Sequence, residues 1–305
     1  MTTRAMGPLA ALGWLKNAVN LGRNNPKAVF GGAALLLVTA VVATLAVGLL
    51  SGLVAAFAGS GTGAMFAAML LVLVPLMVVI GMLTVGYLRL VDAVESGRPA
   101  RALDVFGGFG DLPTSLRVIG LMILIAVLQN LLIFGVLSVF AAGVLEWYMQ
   151  TMQASMTGDV TAAMAQMPAG LGTAYLAMMV VGMVFFGVQA VALGQVALRG
   201  RGLFAGLGDG FAGAFKNLLP LLVLTLGYIV GLVLLGILAV LLVMLVGVLM
   251  KAVGAWLGFV IAVPLYLAFV LALIVVGFGA MYHLWRDVCG GDDTAAEIQV
   301  DALTA

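Results

Sequence analysis

Five stretches of the chain contain no Asp, Glu, Lys or Arg: residues 28–88, 118–145, 160–198, 217–250 and 252–285. A charged side chain at a bilayer centre costs about 2.5–3.5 kcal/mol even on the gentlest scale, so membrane spans have to lie inside such gaps. One pass needs about 20 apolar residues to cross a hydrocarbon core of about 30 Å. The first gap is long enough for two passes, broken at the turn-forming Gly59-Ser60-Gly61-Thr62-Gly63, and each of the others holds one. Six spans are expected, over residues 28–58, 64–91, 115–145, 169–198, 218–250 and 254–285. Residues 217–285 could hold three short passes, but only Lys251 interrupts them, and two long helices that tilt or kink at Pro264 fit better. Composition agrees: 65% of residues are hydrophobic and 8% charged, against about 25% charged in a soluble domain. A water-soluble globule is excluded.

Orientation follows from the basic residues. Of 13 Lys and Arg, all but Lys251 fall before span 1, between spans 2 and 3, between spans 4 and 5, or after span 6. The positive-inside rule then puts both termini in the cytoplasm. The acidic segment 289–305 is read as a flexible tail, and it does not oppose that orientation, since acidic residues weigh little. Residues 1–27 are too long a lead for a signal peptide with its apolar segment of about 7–15 residues, so no cleavable signal is expected.

The segments ahead of spans 1, 3 and 5 share a pattern. Leu9, Leu12, Leu15 and Val19 recur at helical spacing beside Lys16 and Arg23. Leu103, Phe106 and Phe109 follow Arg98 and Arg101, and Phe204, Leu207, Phe211 and Phe215 follow Arg199 and Arg201. A short helix, apolar on one face and basic at its flank, lies in the headgroup plane. The second and third segments also align without gaps, with Arg101, Leu103, Gly108 and Gly110 opposite Arg201, Leu203, Gly208 and Gly210. The fold expected is all-α: a polytopic membrane protein of six transmembrane helices in three hairpins, each preceded by a short cytoplasmic interfacial helix, as one domain over residues 1–288.

Arg4, Gly13-Trp14-Leu15, Asn25-Pro26 at the first apolar run and the terminal Tyr282-His283-Leu284-Trp285-Arg286-Asp287-Val288 carry a resemblance. Together they resemble an uncharacterised family of bacterial inner-membrane proteins with an N-terminal Gly-Trp segment, an Asn-Pro before the first span and a Tyr-Arg-Asp ending. The resemblance implies a six-helix protein of the bacterial inner membrane and no particular activity.

Chemical motifs are weak. Residues 208–213 match G-x-G-x-x-G, but no strand precedes them and the chain has 41 glycines, so a nucleotide site is not expected. Met149, Met152, Met156, Met164 and Met167 offer soft thioethers of the kind that hold Cu(I); an apolar stripe on a surface helix anchored by Trp147 and Tyr148 accounts for them more simply. His283 is read as part of an aromatic belt with Tyr282, Trp285 and Arg286, and Cys289 as an inert thiol. Gly227-x-x-x-Gly231 and Gly254-x-x-x-Gly258 are expected to pack spans 5 and 6 together. No cofactor, metal or catalytic constellation is expected, and the chain is read as no enzyme.

Uncharged polar residues therefore carry any interior site. At about 1.5 Å per residue from the nearest cytoplasmic cation, Gln129, Asn130, Gln189 and Tyr228 share a depth near mid-bilayer. Asn130 and Gln189 are expected to turn inward and find partners, as bundle-fixing hydrogen bonds or as contacts to a polar solute. Two functions remain open: a transport-related protein for a small or amphiphilic solute without ion coupling, or a structural, lipid-associated protein whose basic interfacial helices bind anionic headgroups.

Overall fold

The computed structural model describes residues 3–58, 62–157, 168–254 and 256–290. Among them are ten α-helices: α1 (Ala10–Val19), α2 (Pro26–Ala58), α3 (Thr62–Glu95), α4 (Gly107–Gly110), α5 (Leu112–Phe140), α6 (Val144–Thr157), α7 (Leu171–Arg199), α8 (Leu203–Lys216), α9 (Leu218–Val253) and α10 (Trp256–Cys289). A 3-10 turn, Ala102–Phe106, precedes α4. Six of the helices, α2, α3, α5, α7, α9 and α10, are long and apolar enough to cross a membrane, so the chain is an all-α, multi-pass membrane protein. Helices are forced by the solvent, because hydrocarbon satisfies no backbone N–H or C=O.

The spans outrun the bilayer. The 36 residues of α9 measure about 54 Å at about 1.5 Å per residue, against a core of about 30 Å. Likewise α3 runs on through Arg89 and Asp92 to Glu95, and α10 through Arg286 to Cys289. Both end later than the positions 91 and 285 expected from charge alone. In contrast α5 stops at Phe140, short of position 145, where Gly143 adopts φ 87° and the chain turns into α6.

The chain divides into two compact units, residues 1–121 with 187–305, and residues 122–186. In the larger unit α2 packs along α3, and α1 lies against α9 and α10. Its core holds Trp14, Tyr87 and Tyr282, all essentially inaccessible. The Tyr87 hydroxyl donates to the Val29 carbonyl across α3 and α2, and its ring meets Phe278 edge-on. Two close backbone approaches need glycine: a Cβ on Gly86 would stand 1.9 Å from the Val105 oxygen, and one on Gly108 would stand 1.9 Å from the Met82 oxygen. The 3-10 turn and α4 can therefore sit directly on α3.

The smaller unit contains the distal half of α5, α6 and the first half of α7. Ala141, Leu171 and Ala174 form its buried cluster, with Val136, Leu137, Val144 and Trp147 against it. A cavity of about 440 Å³ lies beside them, lined by groups such as Phe134, Trp147 and Tyr175.

Candidate functional site

Polar contacts concentrate where the larger unit's helices carry their basic residues. Two of the motifs behind the family resemblance meet there. Trp14, fully buried on the α1 face that also presents Ala11 and Ala18, donates from Nε1 to Asp287 Oδ2 at 2.8 Å. Alongside, the Arg4 N–H donates to the Val288 carbonyl at 2.9 Å, and Arg4 Nη2 to the Asp287 carbonyl at 3.2 Å. Asn217, just ahead of α9, receives the Met6 N–H at 2.7 Å and donates to the Arg4 carbonyl at 2.9 Å. Lys216 Nζ holds both oxygens of Thr3. The segment 3–19 is thereby stitched to the start of α9 and the end of α10.

The Asn-Pro motif has an equally local cause. Asn25 Oδ1 accepts the Ala28 N–H at 3.1 Å and Pro26 opens α2, the preferred residues for an N-cap and a first helical position. The same amide donates to the Ala100 carbonyl at 3.0 Å, tying α2 to the chain beyond α3. Gly22, at φ 82°, makes the turn between α1 and α2.

Arginines here are structural clamps as well as topological signals. Arg89 Nη2 meets Asp111 Oδ2 at 2.6 Å while Nε reaches the Ala197 carbonyl at 3.3 Å, joining α3, the start of α5 and the end of α7. Asp111 also caps α5 through the Thr114 N–H. The Arg89 side chain, helped by the Thr114 hydroxyl and N–H, holds the Asp111 carboxyl down to about 2. Asp92 accepts from Arg98 and, at 3.0 Å, from the Tyr282 hydroxyl. Arg201 pairs with Asp209 at 3.0 Å. Of these acidic partners only Asp287 is named in a motif singled out above; Asp92, Asp111 and Asp209 carry no role in the sequence reading, and Asp111, three residues before Thr114, holds the one readable signal, an N-cap pattern.

His283, Tyr282 and Trp285 correct an expectation. They form no interfacial belt, being 2–5% exposed. Instead Tyr282 bonds Asp92, the Trp285 ring covers Gly194 on α7, and the Arg199 guanidinium stacks on that ring at 5.7 Å. His283 Nε2 lies 3.6 Å from Glu95, and neither ring nitrogen makes a hydrogen bond among the described residues. Cys289 is a buried free thiol. No group of three or more His, Cys, Asp or Glu among the described residues could hold a metal.

The segments ahead of the spans turn a second face outwards. On and around α1, Leu9, just ahead of the helix, is 74% and Val19 65% exposed, with Leu12, Lys16 and, beyond the helix, Arg23 also exposed. On α8 the buried face is Gly206, Gly210, Gly213 and Ala214, and Phe204, 79% exposed, and Phe215 point away. Leu103 and Phe109 are exposed beside Arg101. Two of the three G-x-G-x-x-G glycines, Gly210 and Gly213, are thus packing positions. A Cβ on Gly210 would meet the Val188 oxygen at 2.7 Å, whereas Gly208 is open. The ungapped alignment of the two segments is not kept: Gly108 and Gly210 are the packed glycines, and a 3-10 turn with a four-residue helix stands opposite a 14-residue helix.

The residues expected to form a polar interior are placed as follows. Asn130 is exposed, and its amide donates to the Ala126 carbonyl one turn back in its own helix, at 2.8 Å. It does not turn inward; the i−4 bond satisfies the donor locally, a solution that the interhelical expectation overlooked. Gln129 and Gln189 are half-buried. Tyr228 is half-buried on α9, and its hydroxyl donates to the Val276 carbonyl of α10 at 3.3 Å. Gln129 and Asn130 belong to the smaller unit, Gln189 and Tyr228 to the larger.

Nearby, Gly227 corrects the helix-pairing motif, since its Cβ position faces Leu15 of α1 at 3.1 Å and Gly231 is open; of the second pair, Gly258 does face Met250 of α9. Met149 and Met152 lie exposed on α6, while Met164 and Met167 fall outside the described residues. The acidic tail beyond Gly290 does so too.

Between α9 and α10 lies a cavity of about 750 Å³ lined by Leu, Val, Ala, Gly, Met, Phe and Tyr266. Set against family models, curated proteins and solved structures, the chain matches none.

Proposed function

We propose that the chain is a non-enzymatic, lipid-associated protein of the bacterial inner membrane, with its basic end in the headgroup layer of the cytoplasmic leaflet. In this reading the three segments ahead of spans 1, 3 and 5 are interfacial, each opening a helical hairpin. The supporting observation is the outward face of these segments: Leu9, Leu12 and Val19, Leu103 and Phe109, Phe204 and Phe215 are exposed beside Lys16, Arg23, Arg101 and Lys216. An apolar side chain beside a cation suits the boundary between acyl chains and anionic headgroups, where each Lys or Arg contributes about 1 kcal/mol. The inward faces, by contrast, are committed to protein through Trp14, Gly108 and Gly210, so the segments are fixed at one depth rather than free to dissociate.

A transport-related role for a small or amphiphilic solute has less support. Asn130 spends its amide on its own helix, and the two cavities described are walled almost wholly by apolar groups.

The test compares lipid selectivity of the full chain reconstituted with spin-labelled phosphatidylglycerol or phosphatidylcholine. The immobilised fraction should favour phosphatidylglycerol, and Lys16→Gln with Arg23→Gln and Lys27→Gln should reduce that preference about threefold or more. Equal immobilisation of both lipids by the unaltered protein would refute the reading.

A further inference from the structure

The cavity between α9 and α10 lies at the opposite end of these helices from the basic platform. Its walls have an identifiable cause in sequence. Ala239, Gly247, Gly258 and Ala262 withhold side-chain volume, and Pro264 breaks the hydrogen-bond ladder of α10 in the same stretch. The helices touch at the cavity's end near the connection, where the lining residues Met250 and Gly258 meet, and again beyond its other end, where the Tyr228 hydroxyl bonds the Val276 carbonyl. The lining runs along α9 from Met250 to Leu235, about 22 Å at about 1.5 Å per residue. One leaflet of a core of about 30 Å is shallower than that, so an extended acyl chain fits lengthwise. A volume of about 750 Å³ also lies within the range of about 300–1,000 Å³ typical of ligand pockets.

What distinguishes this groove from an ordinary lipid-facing surface is charge. Lys251 is exposed one turn beyond the lining residue Gly247, and it is the one basic residue of 13 outside the basic platform and its flanks. No salt bridge among the described residues involves it. Exposed Trp256 opens α10 just past the turn at Gly254, a residue type suited to the headgroup boundary. We infer that the groove between α9 and α10 holds an acyl chain of an anionic glycerophospholipid from the leaflet at the Lys251 end, with Lys251 on its phosphate. A cation at the C-terminal end of α9 also complements the helix dipole, but that role needs no groove and gives no lipid selectivity.

The experiment is native mass spectrometry of the full chain extracted gently from vesicles of equal parts phosphatidylglycerol and phosphatidylcholine. The unaltered protein should retain phosphatidylglycerol in preference. Lys251→Gln should lower that retention about fivefold, the effect of one surface cation on an anionic headgroup, and Lys251→Arg should preserve it. Gly247→Leu, which fills the groove, should abolish retention while the protein stays folded. Neutralising Lys16, Arg23 and Lys27 at the other end should leave this lipid in place, which separates the groove from the proposed basic interface. Unchanged retention in Lys251→Gln, equal retention of both lipids, no retained lipid, or a dimer whose second copy covers the groove would each overturn the inference.

Discussion

The indole N–H of Trp14 and the carboxylate of Asp287, 2.8 Å apart, join α1 to α10. Trp14 is fully buried, so removing the donor leaves a carboxylate oxygen short of a partner in a partly buried site. Trp14→Phe should destabilise the protein by about 1.5–3 kcal/mol, the range for a hydrogen bond to a charged group. Trp14→Ala should cost about 3–5 kcal/mol. Thermal unfolding in detergent measures both, with Trp256→Phe, at an exposed position, as the unaffected control.

Asp111 makes stability depend on acid. Its carboxyl is held below its ordinary value of 3.8, down to about 2, first by the hydrogen bond from Arg89 and then by Thr114. A depressed carboxyl contributes stability above its unfolded value and loses it as pH falls through the folded one. The melting temperature of the unaltered protein should therefore exceed that of Asp111→Asn at neutral pH. The difference should shrink between about pH 4 and pH 2. A difference that stays constant over that window would dissociate Asp111 from the clamp.

Gly108 and Gly208, aligned in sequence, should behave oppositely, and Gly210 should behave like Gly108. Gly108→Ala would push a Cβ to 1.9 Å from the backbone oxygen of Met82, and Gly210→Ala to 2.7 Å from that of Val188. Neither oxygen can yield without moving α3 or α7, so both substitutions should lower the melting temperature clearly. Gly208→Ala meets open space on the outer face of α8 and should be neutral or stabilising by about 0.5–1 kcal/mol.

The spans were legible because charge is expensive in hydrocarbon, and gaps between charges mark them without knowledge of any contact. Their ends were less so: α3 and α10 run past the last uncharged residue, and Arg89, Asp92 and Asp287 on these extensions bond to residues elsewhere in the chain. Those partners come from far along the chain, as with Trp14 and Asp287 or Tyr282 and Asp92, and residue spacing carries no trace of such pairs. Asn130 shows the reverse failure. Its depth was readable, but the choice between a partner across the bundle and the carbonyl of Ala126 is made by rotamer and neighbours. In α1 the periodic apolar residues do not share one outward face: Leu9, Leu12 and Val19 are exposed, Leu15 lies against Gly227, and the face committed to protein is Ala11, Trp14 and Ala18.

Sidedness is checked by reporter fusions. A phosphatase, active only outside the cytoplasm, should be silent when fused after Gly290 and active when inserted at Ser155. Activity at both positions would mean an odd number of passes before Gly290 and contradict the six-span topology, whereas activity after Gly290 with silence at Ser155 would reverse the orientation.

The depth of the three segments tests the proposed role most directly. Spin labels at Leu12, Leu103 and Phe204, in a Cys289→Ala background and in vesicles containing phosphatidylglycerol, report depth by collision with oxygen against a water-soluble nickel chelate. All three should lie near the phosphate plane, more exposed to oxygen and less to nickel than a label at exposed Ser96. Labels that meet the nickel chelate as freely as Ser96 does would contradict the account.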